Sequence, residues 1–380
     1  MSDGALSLPP EPDLSNCTPY PALEAFNVQY KPIHAYLSLS ICLFGIFTNT
    51  LNAVVLTHTH MRSPTNVLLM SIAIADSVTM IAYVAKDVYL HFLTSPDPAA
   101  EVHGRAGIYF LLSANFTTIG GHIFATIMTV MLAAFRCWVL YRPQRQVSYM
   151  HIRRTAGVAA ILSAAMSVMG VSAFIVGKLG PPIIPSNATQ EYYWFAVRDG
   201  LHELDRASFA IYGCFSKLAS SILITFFTGL ILAVMDKAKR RYLRLKQGSS
   251  LQKKAPPQEM ADLDGTGGKE LEQHLLSQKK REWRGNNRTT VMLIAVVVSF
   301  IITEAPQGVI NTVVAIQGDC FLYLFYVPIG DLLDLLVLLN SSTNFILYCA
   351  MSAQFRKSFK ELVMDEMIYR LCHNRSKRSI

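Results

Sequence analysis

Seven long apolar segments divide the chain, and they limit its fold more than any other feature. They lie at about residues 33–57, 67–92, 106–140, 155–177, 208–235, 290–316 and 320–350. Each is near or above the roughly 20 residues that a helix needs to cross a bilayer. The chain is also 52% hydrophobic and only 16% charged, which favours one membrane domain over two soluble domains. The sequence therefore predicts an all-α membrane protein, a seven-transmembrane helix bundle in a lipid bilayer.

Positive charge is concentrated on one side of the predicted bundle. Five arginines and no acid lie between Arg136 and Arg154, and fourteen Lys or Arg against seven acids lie between Asp236 and Arg288. The first thirty residues contain four acids and no Lys or Arg. Because Lys and Arg favour the cytoplasmic side, we expect the N-terminus outside and the C-terminus inside. The net charge of +8 therefore reflects topology, and nucleic acid is not an expected partner.

This topology defines the predicted regions of the chain. Residues 1–32 form an extracellular N-terminus without a visible signal peptide, and residues 33–350 form the transmembrane domain. Residues 237–288 form a partly disordered intracellular loop, and residues 351–380 form a cytoplasmic amphipathic helix and tail. Sequons at Asn16 and Asn187 fall outside and are predicted glycosylation sites. Cys17 and Cys320 are also on this side, either as a disulfide or as free thiols.

The sixth apolar segment carries a proline and an acid at membrane depth. Pro306 interrupts the helical hydrogen-bond ladder and predicts a bend. Glu304, two residues earlier, is costly there unless it faces the interior of the bundle. Asp76 is a second carboxylate inside an apolar segment. A bent helix with a buried acid is predicted to be a moving part of the protein.

Six features in order, at matching spacing, resemble the rhodopsin-like (family A) G-protein-coupled receptors. They are Asn49, the run Ala73-Ile74-Ala75-Asp76, Arg136 with Pro143, Phe300 with Pro306, Asn344 with Tyr348, and Phe355 in a membrane-surface helix. The resemblance implies a plasma-membrane receptor that activates a heterotrimeric G protein and is not an enzyme. It assigns activation and G-protein coupling to Arg136, Pro143, Phe300, Pro306, Asn344 and Tyr348.

Departures from that family pattern narrow the resemblance. Phe135 replaces the acid that usually pairs with the following arginine, Phe345 replaces the last proline, and Thr303-Glu304-Ala305-Pro306 replaces Cys-Trp-x-Pro. No cysteine stands near Leu111 for the usual disulfide to the second outer loop. These departures are similar to the invertebrate myosuppressin and FMRFamide-type neuropeptide receptors. They imply an amidated peptide ligand, ending in Arg-Phe-amide, and an inhibitory-type G protein.

A guanidinium on such a peptide requires a desolvated acid. Glu304 and Asp334 are the preferred acids, Asp331 and Asp87 are further candidates, and Tyr193 and Trp194 are aromatic candidates to grip the peptide. Two other interpretations stay open. Glu304 can instead bond internally to Gln307 or Asn340, and the carboxylates of the seventh segment can be a solvated helix end.

A second predicted site resembles the sodium pocket of the family. Its members are Asp76, Asn340, Ser341 and Asn344. A hard cation requires several oxygen ligands, and Ala125 removes the usual hydroxyl of the third helix. Either a sodium ion acts here as an allosteric modulator or the site is a protonated polar cluster. No other cofactor is expected.

The main alternative function is an orphan chemoreceptor of the same fold for small molecules. Amine and light receptors are disfavoured, because Thr118 and Leu338 replace the aspartate and the retinal lysine of those classes. A transporter or channel would show internal repeats, which the sequence lacks. Phe135 and Asn286 also remove two common ionic locks, which predicts either raised basal activity or a different lock.

Overall fold

A computed structural model describes most of the predicted bundle. The described residues are 14–58, 63–93, 103–141, 200–252, 294–351 and 355–362, with the short stretches 154, 157–158, 161, 177–179, 193 and 195–198. The fourth predicted segment, residues 155–177, lies almost wholly outside them, as do Pro143, Asn187 and Trp194. The described chain is almost entirely helical, which confirms the predicted fold class.

Six described helices are long and apolar enough to cross a membrane. Helix α1 is Pro21–Thr57, α2 is Pro64–Val88 with a π-helical continuation Tyr89–Leu93, and α3 is Arg105–Tyr141. Helix α4 joins His202–Ile211, the π-helical Tyr212–Ala219 and Ser220–Gln252. Helix α5 is Ile294–Gln317. Helix α6 joins Asp319–Phe321, Leu322–Tyr326 and Val327–Met351, and a short helix α7 covers 355–362. Helices α4, α5 and α6 thus correspond to the fifth, sixth and seventh apolar segments.

Helix α1 begins at Pro21, well before the apolar segment that predicted it. Proline fits the first turn of a helix because its missing N–H has no partner there, and Glu24 adds a favourable charge in that turn. Hydropathy detects only the apolar part of a helix, so the segment predicted from residue 33 did not reveal where the helix itself begins. Part of the predicted N-terminal region is therefore helical.

A disulfide joins Cys17 to Cys320, with 5.5 Å between the two Cα atoms. It ties the segment before α1 to the start of α6, and it resolves the choice that the sequence left open. We call this end of the bundle the disulfide end and the end that carries α7 the tail end. Asn16, next to the bridge, is exposed, as a glycosylation site requires.

Two short strands occur among the described residues. Strand β1, Gly177–Leu179, pairs antiparallel with β2, Phe195–Val197. Just before β2, Tyr193 exchanges two backbone hydrogen bonds of 2.8 Å with His103, which precedes α3. The His103 ring also packs 5.5 Å from the Tyr89 ring. These contacts hold Tyr193 at the start of α3, near the position where the family pattern has a cysteine that this sequence lacks.

At the tail end, α7 packs its apolar face onto α6. Phe355 is buried against Tyr348, with ring centroids 5.9 Å apart, and Phe359 lies 5.7 Å from Phe345. Lys357 and Glu361 occupy exposed positions of the same helix. This arrangement fits the predicted amphipathic surface helix.

Helices α4 and α5 approach each other through glycine. A Cβ atom on Gly213 would lie 2.8 Å from the Asn311 Cβ and 3.0 Å from the Gly308 carbonyl oxygen. A Cβ atom on Gly308 would lie 2.8 Å from the Lys217 Cβ. Small residues at such contacts allow two membrane helices to pack closely. This contact brings the polar side chains of the two helices within reach of each other.

We expect Gly213→Ala to destabilise the protein by about 1–3 kcal/mol, because the new methyl group meets backbone that cannot move aside. The measurement is thermal unfolding of purified protein in detergent. Gly229→Ala is the matched control on the same helix, since its Cβ would meet nothing within 4 Å. Equal stability of the two variants would contradict the close contact.

Candidate functional site

Glu304 lies at the centre of the bundle and has no exposed surface. Burial of a lone carboxylate in a membrane domain is expensive, so the side chain requires partners. The structure supplies three from different helices. They are Lys217 of α4, His122 of α3 and Asn340 of α6, whose amide nitrogen lies 3.5 Å from Oε1. Only the last was among the internal partners expected from the sequence.

Lys217 is the main partner of Glu304. Its Nζ donates to Glu304 Oε2 at 2.5 Å, and both side chains are fully buried. A buried pair of this kind is strongly destabilised when one partner is removed, because an uncompensated charge remains. Lys217 lies in the π-helical stretch of α4, a local structure that is common at functional sites. The pair therefore holds α4 and α5 together at membrane depth.

His122 completes what we call the buried charge cluster, defined as Lys217, Glu304 and His122. Its Nε2 lies 3.1 Å from Glu304 Oε2 and 2.7 Å from Lys217 Nζ. One ring nitrogen cannot accept a hydrogen bond from the ammonium and donate one to the carboxylate at the same time. Nε2 therefore makes one of these two hydrogen bonds, and the tautomer of the ring selects which.

Lys217 and His122 were missed in the sequence interpretation, although a signal was present. Both lie inside apolar segments, and an ionisable residue at membrane depth is by default a functional candidate with a partner to be found. Only the acids of the apolar segments were interpreted as site residues, so Lys217 and His122 received no predicted role. The sequence does not reveal which helices face each other, so the pairing itself required the structure.

The other predicted ligand-binding acids lie nearer the disulfide end and differ in their environment. Asp87 is buried and bonded on both oxygens, to the Ser38 hydroxyl at 2.6 Å and to His91 Nδ1 at 2.9 Å. Asp331 and Asp334 of α6 are half-buried, and among the described residues neither has an ion pair within 4.0 Å. These two carboxylates are the ones that remain available to a ligand.

A cation and aromatic rings lie near these acids on α2. The Lys86 ammonium stands 4.5 Å from the centroid of the Tyr83 ring, and the Tyr83 hydroxyl bonds to His34 Nε2 at 2.9 Å. Among the charged groups around Asp334, Lys86 and Asp331 have the largest electrostatic effects on it. Tyr193, the described member of the predicted aromatic pair, is half-buried at the start of α3.

The predicted sodium ligands divide into two groups. Asn344 donates its amide to Asp76 at 3.0 Å, and Ser341 bonds to the same carboxylate. Asn340 instead accepts from Ser299 at 3.0 Å and reaches towards Glu304. Two of the four residues, Ser341 and Asn344, thus bond to the buried carboxylate of Asp76, whereas Asn340 belongs with the buried charge cluster.

The predicted activation residues follow the helices towards the tail end. Phe300 is buried against Ile224 and Val297, and Tyr348 is buried near Phe355. Arg136 is half-buried, with Tyr348 as a neighbouring titratable group, and no described acid lies within 4.0 Å of it. Pro306 lies on the exposed side of α5, two residues from Glu304, and helix continues on both sides of it.

Comparison with known proteins identifies the family. The profile described as "Serpentine type 7TM GPCR chemoreceptor Srw" matches residues 36–258 and 269–365. G-protein coupled receptor dmsr-1 of Caenorhabditis elegans is 27% identical over 361 residues, which cover 89% of this chain and 69% of that protein. The sex peptide receptor of Drosophila melanogaster is 22% identical, over 89% and 74% of the two chains. Neuromedin-U receptor 1 of Homo sapiens is 24% identical, over 94% and 81%.

These similarities confirm the predicted resemblance to G-protein-coupled receptors. They also confirm that the chain is a multi-pass membrane protein and a receptor. None of the three names denotes a myosuppressin or FMRFamide receptor, so that narrower resemblance stays a prediction. The match extends through most of the chain, including the residues that build the buried charge cluster. The chain belongs to the family of serpentine seven-transmembrane G-protein-coupled receptors described as Srw.

Proposed function

We propose that this chain is a plasma-membrane receptor for an amidated neuropeptide of the FMRFamide or myosuppressin kind, signalling through an inhibitory-type heterotrimeric G protein. The observation that carries the proposal is the pair of half-buried carboxylates, Asp331 and Asp334, without a described ion-pair partner. They suit the guanidinium of a peptide ending in Arg-Phe-amide. Two similar receptors are named for peptides, sex peptide and neuromedin U.

The cation of the peptide is assigned to Asp334, with Asp331 beside it, and not to Glu304. A guanidinium at Glu304 would have to displace Lys217, and separating a buried ion pair costs about 3–5 kcal/mol. Asp334 requires no such exchange. Asp331 and Asp334 are three residues apart on α6 and therefore lie on the same face of the helix. Both carboxylates can then attract the same guanidinium of the peptide.

The proposed topology places the disulfide end outside the cell. The N-terminal region before Lys31 carries no basic residue. By contrast, the stretch from Arg136 to Arg154 is rich in Arg, and the chain beyond Asp236 is rich in Lys and Arg. In this orientation the peptide enters past Tyr193, and the G protein binds at the tail end beside Arg136 and Tyr348. Exposed Asn16 is then a glycosylation site.

The buried charge cluster is proposed to couple ligand binding to helix movement. Glu304 is two residues from Pro306, so a change at the cluster acts at the point where α5 can bend. The inner half of α5 would swing outward to open a cleft for the G protein. The cluster then provides the different lock that the missing acid at Phe135 requires.

Asp334→Asn is expected to raise the EC50 of the probe peptide Phe-Met-Arg-Phe-amide about 10- to 100-fold, because a charge-assisted hydrogen bond is lost. The measurement is G-protein activation in cells at matched surface expression. Asp319→Asn, at an exposed position of the same helix, is the matched control and should change the EC50 less than about twofold.

A second probe peptide, with citrulline in place of arginine, separates the effect of the lost charge from a structural effect of the substitution. Citrulline keeps the shape of the side chain but has no charge, so Asp334→Asn should cause little further loss with it. An equal loss with both peptides would show that Asp334 acts through structure and not through the guanidinium. A receptor that answers small odorants and no amidated peptide would support the chemoreceptor alternative.

Lys217→Met and Glu304→Gln are each expected to lower the melting temperature of the purified receptor by about 5–15 °C, because each leaves an unpaired buried polar group. The double variant should recover at least half of that loss. Both single variants should also change basal signalling. Additive losses in the double variant, with unchanged basal signalling, would exclude the proposed coupling role of the pair.

We also propose that a sodium ion binds at Asp76. Asp76 and Ser341 would supply oxygen ligands, and the ion would contribute a positive charge that stabilises one arrangement of the helices. Replacing NaCl by choline chloride should raise agonist affinity at least about fivefold in the wild type and leave the affinity of Asp76→Asn unchanged. Competition binding on membranes measures this difference. Equal affinities of the wild type in both salts would reject a sodium modulator.

A further inference from the structure

A second set of polar side chains lies within about two helical turns of the buried charge cluster, towards the disulfide end. On α5, Gln307 and Asn311 follow Glu304 by three and seven residues, so all three share one face of the helix. On α3, Thr118 precedes His122 by one turn, and on α4, Ser216 immediately precedes Lys217. We call Thr118, Ser216, Gln307 and Asn311 the polar subsite.

Three side chains of the polar subsite are buried and Thr118 is half-buried, and the subsite is not internally satisfied. Asn311 has 1% of its surface exposed, and neither atom of its amide has a hydrogen-bond partner among the described residues. The same holds for Gln307 Oε1, Ser216 Oγ and Thr118 Oγ1. Folded proteins rarely leave such groups unpaired, because each loses its bonds to water without replacement. Several of them at a similar level of three helices indicate a missing partner.

The backbone around Asn311 keeps its amide in this position. Its Cβ lies 2.8 Å from the point where a Cβ of Gly213 would stand, so α4 closes directly against it. The Gln307 side chain is bonded to the Tyr326 hydroxyl through its other end, which leaves Oε1 free. The free atoms include both donors and acceptors, and none of the four side chains carries a charge.

The chemistry of a complementary ligand group follows from these atoms. An amide that offers donors and an acceptor is best matched by another amide, whose N–H groups and carbonyl bond in return. A carboxylate would lack donors for Gln307 Oε1 and Asn311 Oδ1. It would also be an extra charge beside Lys217 and Glu304, which already neutralise each other.

We infer that the polar subsite binds the uncharged terminal carboxamide of the ligand. The inference rests on the proposed function and names the part of the ligand that contacts α5. Arg-Phe-amide then has its guanidinium at Asp334 and its carboxamide at Asn311 and Gln307. Because these residues share a face of α5 with Glu304, the bound carboxamide contacts the helix on which the buried charge cluster acts.

The test compares amide and acid forms of two probes. Phe-Met-Arg-Phe-amide and its free-acid form are assayed for G-protein activation. N-acetyl-phenylalaninamide and N-acetyl-phenylalanine, which lack the guanidinium, are assayed by thermal shift of the purified receptor. The variant is Asn311→Leu, which keeps the size of the side chain and removes its polar atoms. Gln317→Leu, at the exposed end of α5, is the matched control.

The wild type and the control should prefer the amide to the acid by at least about 100-fold, and Asn311→Leu should reduce this preference at least about tenfold. N-acetyl-phenylalaninamide should raise the melting temperature of the wild type and not that of Asn311→Leu. Without ligand, Asn311→Leu should be at least as stable as the wild type, because an unpaired amide has been removed.

Different failures identify different errors. If both peptide forms activate equally, or Asn311→Leu keeps the full preference for the amide, the carboxamide does not bind here and the peptide-receptor proposal still stands. If no peptide activates the receptor but the small amide stabilises only the receptors that keep Asn311, the subsite stands and the proposed function falls. If neither small probe discriminates between amide and acid, the polar subsite holds only water.

Discussion

The ion pair between Lys217 and Glu304 is the interaction on which the rest of the bundle depends. Each charge alone would cost several kcal/mol at membrane depth, so the two helices that carry them must stay within hydrogen-bond distance. The glycine contact between α4 and α5 permits that distance, since a Cβ at Gly213 or Gly308 would force the helices apart. His122 adds α3 to the same point, so three helices are fixed relative to one another by one cluster.

The charges of Lys217 and Glu304 neutralise each other at the centre of the bundle, and this decides where a charged group of a ligand can bind favourably. Because the buried charge cluster balances itself, a ligand gains nothing by bringing a lone charge to it. The unbalanced described carboxylates are Asp331 and Asp334, nearer the disulfide end, and the unsatisfied atoms of Gln307 and Asn311 are uncharged. A ligand that carries a cation beside a neutral polar end matches these two kinds of group. A ligand with a terminal carboxylate does not.

The sequence predicted the apolar helices and the buried acid because both are local properties. Hydropathy locates each membrane segment, and a glutamate beside a proline is visible without knowledge of any contact. It could not predict that Glu304 meets Lys217, 87 residues away, or His122, 182 residues away, because helix order in a bundle is set by packing. Nor could it place the start of α1 at Pro21, since a helix continues beyond the apolar stretch that reveals it.

The position of the cluster also bears on how a receptor without the usual inner lock is controlled. Phe135 cannot pair with Arg136, and no described acid replaces it, so the tail end holds α5 by apolar contacts such as that of Phe300 with Ile224. The strong polar contact is two residues from Pro306. Because a proline allows a helix to bend, a small shift at Glu304 would correspond in the proposed mechanism to a large displacement at the inner end of α5. Ligand atoms bonded to Gln307 and Asn311 act on the same helical face, one and two turns away. In the proposed mechanism the ligand therefore needs no long chain of intermediates to reach the element that it moves.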